Sequence, residues 1–158
     1  MANTQSMCTS FMQEMMTATH NFGTAPIRAA STADTFKAAL YLASATVNAS
    51  TTAYSSTGEV TGTNYTAGGV TVTNATAPLS TNTSATAGTA YWTPSASITY
   101  TNVTLSTAFD AVLIYNSTQS NKAVSVHTFG SQTVTAGTFT LTMPSNTTST
   151  ALLRLATT

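Results

Sequence analysis

Alternating apolar and polar positions are clearest in the last third of the chain. In "SQTVTAGTFTLTMP", Phe139, Leu141 and Met143 alternate with threonines after the pair Ala136 and Gly137. A period of two residues is typical of a strand with one covered face. We therefore predict a strand here, with a turn at the Ala-Gly pair.

The stretch "FDAVLIYNSTQSNKAVSVHTFG" indicates two strands around a polar loop, residues 111–115 and 122–129. Apolar side chains fall on both faces of the first strand, so it is predicted to be covered on both sides and to lie centrally in a sheet. Asp110 and Lys122 bracket the loop, and we predict that they pair across its base.

Four further segments carry β-branched and aromatic residues between turn signals: Phe36 to Leu42, Val70 to Thr73, Ile98 to Leu105, and Leu153 to Leu155. The phase of the apolar positions slips between Tyr100 and Val103, which predicts a β-bulge near Asn102. Seven or eight short strands of this kind predict a mainly β fold, an antiparallel β-sandwich or a jelly-roll-like barrel, with one short N-terminal helix.

Small polar residues mark the connections between these segments. The stretches 43–57 and 78–89 are predicted as exposed loops. Gly68 and Gly69 form a pair that permits positive φ and a tight reversal. In the last strand, the two leucines are predicted to lie on one side and Arg154 on the other.

Near the N-terminus the apolar spacing changes to i, i+3, i+4, which is typical of one helix face. We predict a helical arm over residues 1–24 and a single β domain over residues 25–158. Flexible thioethers suit a surface that adapts to a partner. The candidate protein interface consists of Met7, Phe11, Met12, Met15, Met16 and Phe22. Packing of this face onto the chain's own sheet is the alternative.

Charged residues make up only 5% of the 158 residues, and the formal net charge is zero. Ordinary soluble domains have about 25% charged residues. Nucleic-acid binding needs a cluster of Lys and Arg, which the sequence lacks. A neutral, charge-poor surface favours association with other proteins, and a lone monomer solvated by Ser and Thr hydroxyls is the alternative.

The sequence predicts no membrane partner, because no run of about 18 apolar residues is present. The first residues carry no Lys or Arg ahead of an apolar run, so we expect synthesis in a host cytoplasm rather than secretion. N-x-[ST] triplets are frequent, but the abundance of Thr explains them by chance. The single Cys8 has no partner for an internal disulfide.

No catalytic, cofactor or metal site is predicted. Two histidines, His20 and His127, are too few for a metal centre without converging carboxylates. Ser125, His127 and Asp110 would form a triad on paper, yet the chain has no nucleophile elbow. A glycosidase with Glu59 and Asp110 as its paired carboxylates is a further enzymatic alternative, for which the sequence gives little support.

Three aromatic residues, Tyr65, Tyr91 and Trp92, are a candidate stacking platform for a sugar. The sequence favours core packing or a subunit interface for them instead.

Three stretches of the chain, "CTSFMQEMMTATHNF", "ADTFKAALYLASATVNASTTAYSSTGEVTGTNYTAGG" and "AVLIYNSTQSNKAVSVHTFGSQTVTAGTFTL", resemble small virion structural proteins of tailed bacteriophages. The resemblance implies a non-enzymatic protein of the virion, most simply a capsid decoration (cement) protein that binds and stabilises the outer capsid lattice. It also implies the major capsid protein or other virion proteins as partners, and a homo-oligomer, with a trimer favoured. A tail, collar or fibre component, with or without glycan binding, is the alternative.

Overall fold

The computed structural model describes residues 3–16, 19–22, 33–73, 77–81 and 88–156; the side chains of Thr9, Met12, Gln13 and Met16 lie outside this description. The elements follow the order β1 (Ser6–Met7), α1 (Thr9–Met16), β2 (Phe36–Leu42), β3 (Val70–Thr71), β4 (Leu79–Ser80), β5 (Thr89–Trp92), β6 (Ile98–Asn116), β7 (Lys122–Leu141) and β8 (Leu153–Ala156).

The strands form two antiparallel sheets in a sandwich-like arrangement. The larger sheet has the order β1-β7-β6-β2-β3, and the smaller one has the order β4-β5-β8. This confirms the predicted mainly β fold class.

The β6–β7 hairpin lies at the centre of the larger sheet, with β2 beside β6 and β1 beside β7. Its strands are far longer than the predicted pair, 19 and 20 residues. Six consecutive residues from Ala111 to Asn116 are buried, and Leu113 and Ile114 are no more than 1% exposed. The prediction of a strand covered on both faces is therefore confirmed.

The predicted bulge near Asn102 is also confirmed. The register between β6 and β7 shifts between Tyr100 and Val103, and Asn102 has φ of +52°. Because the extra residue moves Val103 back toward the covered face, both flanking side chains remain buried at 1% exposure.

A tight reversal at Gly68 and Gly69 leads into β3, and both residues have positive φ, +87° and +70°. A Cβ on Gly69 would lie 1.7 Å from the Ala38 carbonyl oxygen on β2. Only glycine therefore allows this approach, as the sequence predicted.

The stretch 78–89 is not simply the loop that the sequence predicted. Leu79 and Ser80 form β4, which pairs with Tyr91 and Ala90 of β5. Residues 82–87 lie outside the described part. The sequence did not predict this strand, because an exposed edge strand of two residues shows no periodic pattern of apolar residues.

The N-terminal segment packs onto the larger sheet. Met7 pairs with Ser125 in β1, and the Cys8 amide donates to the Val124 carbonyl at 3.1 Å, so the chain enters α1 from a strand. The helix runs from Thr9 to Met16, so it covers only part of the predicted helical arm, residues 1–24.

Candidate interface groove

An aromatic cluster joins the N-terminal segment to both sheets. The Phe22 ring stacks on Phe36 of β2 at 4.5 Å and meets Trp92 of β5 edge-on at 4.7 Å. The Phe11 ring lies 5.9 Å from Phe22. All four rings are nearly inaccessible to solvent. The N-terminal segment is thus part of the core between the two sheets, where aromatic pairs contribute beyond their buried area.

Above this cluster the surface forms a narrow groove of about 60 Å³ lined almost entirely by carbon. The N-terminal segment supplies one wall, namely Met7, Phe11, Met15 and Phe22. The smaller sheet and the residue before it supply the other wall, namely Pro78, Ala90, Tyr91, Trp92, Leu153 and Leu155. The cavity is wide enough for one apolar side chain.

Exposed apolar side chains border the groove. Met15, Leu155 and Leu79 are 38%, 40% and 46% exposed, and they are the exposed large hydrophobic residues among those described. Met15 and Leu155 line the groove, and Leu79 is paired with Tyr91 of its wall. Adjacent exposed apolar residues mark interaction surfaces more often than scattered ones do.

The six candidate interface residues separate into three groups. Phe11 and Phe22 are 2% and 5% exposed and pack in the chain's own core. Met7 and Met15 remain accessible at the groove. The side chains of Met12 and Met16 lie outside the described residues. Contact with another chain stays a prediction, and among the four members whose side chains are described, Met7 and Met15 are the ones accessible for it.

The opposite wall was not predicted from the sequence. Its signal was the terminal "LLRLA", where Leu153 and Leu155 both line the groove and Arg154 does not, lining instead a neighbouring cleft that shares Leu153. This confirms the predicted sidedness of the last strand, but alternation within one strand does not reveal which element faces it.

Behind the groove, Glu14 and His20 form a buried polar pair. His20 Nε2 lies 2.8 Å from Glu14 Oε2, and the His20 side chain is inaccessible to solvent. The other carboxylate oxygen of Glu14 accepts from Lys122 Nζ at 2.5 Å. Burial lowers the pKa of His20, and the hydrogen bond with Glu14 opposes this only in part.

The predicted pair of Asp110 and Lys122 is wrong. Lys122 bonds Glu14 instead, and the Asp110 carboxylate accepts from Asn3 Nδ2 at 2.5 Å. The reason is the length of the hairpin: Lys122 pairs with Asn116 across the turn, six positions beyond Asp110 along β6.

Two of the triad candidates do meet. Ser125 Oγ lies 2.9 Å from His127 Nε2, as expected for residues i and i+2 on one strand face. Burial lowers the pKa of His127 to about 4. Among the hydrogen bonds of the described residues, none joins His127 to Asp110, whose carboxylate bonds Asn3. Ser125 is 1% exposed, so the pair forms a buried contact rather than an accessible nucleophile.

Glu59 lies in a second buried cluster, made of tyrosines. Its carboxylate accepts from the hydroxyls of Tyr54 and Tyr65, at 2.6 and 2.8 Å, and from the Gly68 amide at 2.8 Å. The residue is 6% exposed. A carboxylate held by three donors inside the fold is poorly placed for the glycosidase role considered above.

The candidate sugar platform is not assembled. Tyr65 stacks on Tyr100 at 5.9 Å and bonds Glu59, whereas Trp92 is 2% exposed in the Phe22 cluster. Core packing, one of the two placements predicted for Trp92, is confirmed.

Within the described ranges, no three His, Cys, Asp or Glu side chains converge as a metal site would require. The described part of the chain also holds no helix of the length and apolarity that a bilayer crossing demands. No family model matches the chain, and neither a curated protein nor a solved structure is similar to it.

Proposed function

We propose that the chain is a non-enzymatic structural protein of a bacteriophage particle, which decorates the outer capsid lattice and stabilises it by contact with the major capsid protein. The observation that carries the proposal is the apolar groove bordered by Met15 and Leu155. The occupant that fits it is a single apolar side chain of the capsid protein.

The chemistry of the remaining surface supports this assignment. With four basic and four acidic residues in the whole chain, long-range electrostatic steering contributes little to any association. Binding by this chain therefore depends on apolar burial, at about 25 cal/mol per Å² of area removed from water. The groove concentrates such area in one place, and its methionines adapt to the slightly different neighbours of a quasi-equivalent lattice.

The resemblance of the sequence to small virion proteins supports a phage particle as the place where the chain acts. A homotrimer at local threefold axes would present three grooves to one set of capsid subunits, and the resulting avidity would compensate for the small area of each contact.

A binding experiment tests the proposal with single charges placed on the groove. Phage heads that lack the chain are mixed with wild-type protein, Met15→Asp, Leu155→Asp or the control Thr133→Asp, which adds the same charge at an exposed position of β7. We expect Met15→Asp and Leu155→Asp to reduce the protein that sediments with heads at least tenfold, because a buried unpaired carboxylate is costly. Thr133→Asp should bind as the wild type does.

The copy number per particle separates capsid from tail. We expect on the order of hundreds of copies, as a lattice position repeated over the shell requires. About a dozen copies would instead place the chain in the tail, collar or fibre, and undiminished binding by both groove variants would overturn the proposed interface.

A further inference from the structure

His20 connects three separate parts of the chain behind the groove. Its Nε2 lies 2.8 Å from Glu14 Oε2 on α1, and its Nδ1 lies 3.1 Å from Asn116 Nδ2 at the end of β6. Glu14 is in turn bound to Lys122 at the start of β7. The imidazole thus joins α1 to the end of β6, in addition to the Glu14–Lys122 contact and the pairing of β1 with β7.

The orientation of the Asn116 amide is fixed by its other partners. Its Oδ1 accepts from the backbone amides of Thr118 and Gln119, both at 3.1 Å. Its Nδ2 donates to Asp34 Oδ2 at 2.8 Å. Reversing the amide would set oxygen against a carboxylate and nitrogen against two N–H donors, so Nδ2 must face His20.

This orientation determines the tautomer of His20. Because Asn116 donates to Nδ1, that nitrogen carries no proton, and the ring proton lies on Nε2, where it is donated to Glu14. A second proton on Nδ1 would set an N–H against the Asn116 N–H and would break the contact between His20 and Asn116.

Among the residues that the structure describes, three charged groups face the imidazole. Glu14 of α1 and Asp34 ahead of β2 favour a cationic ring, whereas Lys122 of β7 and the burial of the ring oppose it. Burial is the largest of these effects, and it lowers the pKa of His20 below the ordinary 6.5. Protonation of His20 at low pH therefore favours a conformation in which its imidazole is exposed to solvent.

The same ring supports the groove. The His20 ring lies 4.9 Å from Phe11 and 6.3 Å from Phe22, and these two side chains form the floor of the N-terminal wall. A movement of His20 toward solvent cannot leave them in place, because they pack directly on it.

We propose that His20 is an acid-sensitive clasp for the groove: its protonation at Nδ1 breaks the contact with Asn116, releases Phe11 and Phe22 of the N-terminal wall while β1 stays paired with β7, and weakens the binding of an apolar partner. The weakened binding rests on the function proposed above for the groove, whereas the release of the wall does not.

Trp92 reports on this release without any partner, because it is the one tryptophan of the chain and contacts Phe22 at 4.7 Å. Tryptophan emission and its quenching by acrylamide are measured from pH 7.5 to 5 for the wild type, His20→Gln and the matched control His127→Gln. Glutamine keeps an N–H donor for Glu14 but does not titrate.

We expect acrylamide quenching of the wild type and of His127→Gln to rise at least twofold, with a midpoint below pH 6.5, while far-ultraviolet circular dichroism stays constant. His20→Gln should show no such rise. A wild-type protein that stays unchanged down to pH 5, or a transition that His20→Gln retains, would overturn the clasp.

Should His20→Gln fold poorly, the wild-type imidazole is followed by nuclear magnetic resonance instead. The His20 Cε1–H shift should titrate with the midpoint found for Trp92, and separate midpoints would contradict the proposal. Binding to heads at pH 7.5 and 5 then distinguishes the two proposals. If Met15→Asp and Leu155→Asp both bind normally while the Trp92 transition is present, the clasp stands and the proposed groove interface fails.

Discussion

Glu14 and Glu59 are both buried glutamates, 9% and 6% exposed, but they have different kinds of partners. Glu14 bonds His20 and Lys122, two groups that carry or can gain a proton. Glu59 bonds two tyrosine hydroxyls and a backbone amide. Burial raises the pKa of Tyr54 and Tyr65 above the ordinary range. The two tyrosines therefore keep their protons at ordinary pH, whereas the Glu14 cluster contains His20, the group that we propose responds to acid.

Removing the Glu59 carboxylate should have the largest effect. Glu59→Ala leaves the buried Gly68 amide and two half-buried tyrosine hydroxyls without their acceptor, at about 1 to 3 kcal/mol for the amide and about 1 kcal/mol for each hydroxyl, so we expect a loss of about 3 to 5 kcal/mol in the free energy of unfolding. Glu59→Gln keeps one acceptor oxygen and should lose less. Urea denaturation measures both, and a loss below about 1 kcal/mol for the alanine variant would refute the structural role.

A substitution at an apolar core position provides the reference for the stability changes in the two glutamate clusters. Leu113 is inaccessible to solvent on β6, so Leu113→Ala should cost about 2 to 5 kcal/mol through lost burial and the cavity left behind. This loss should be the same at pH 7 and pH 5, because no titrating group is involved. A loss under about 0.5 kcal/mol would show that the hairpin is not the core.

Acid should destabilise the whole protein through its two histidines. Burial lowers the pKa of both, that of His127 from 6.5 to about 4. A folded-state pKa below the unfolded value means that stability is complete above pH 6.5 and is lost as the pH falls toward 4. For His127 this corresponds to about 3 kcal/mol. Urea denaturation between pH 7.5 and 4 checks it, and His127→Gln should reduce the slope. An equal slope in that variant would contradict the assignment.

The sequence predicted the fold class, the central hairpin strand, the bulge at Asn102 and the glycine reversal, because each depends on local periodicity or on one backbone requirement. It did not predict the Glu14–Lys122 pair or the second wall of the groove. Those contacts join residues 108 positions apart or elements in different sheets, and their register depends on how far β6 and β7 extend. Alternation along β7 predicts which face of the sheet each side chain lies on, but it does not predict which residue Lys122 bonds.

The smallest effect is expected at Asp110. The Asp110 carboxylate bonds Asn3 at the surface side of the sheet, and asparagine keeps an acceptor oxygen for that contact, so Asp110→Asn should change the stability by about 0 to 1 kcal/mol. Binding to phage heads should be unchanged. Abolished function with an intact circular dichroism spectrum would restore the enzymatic alternative built on Asp110 and His127.

The most direct test of the proposed function is a density map of the intact phage particle that carries the chain. We predict that the groove is occupied, with an apolar side chain of the capsid protein in contact with Met15 and Leu155 in each copy. A map in which both side chains face solvent in every copy would contradict the account, whatever the location of the chain in the particle.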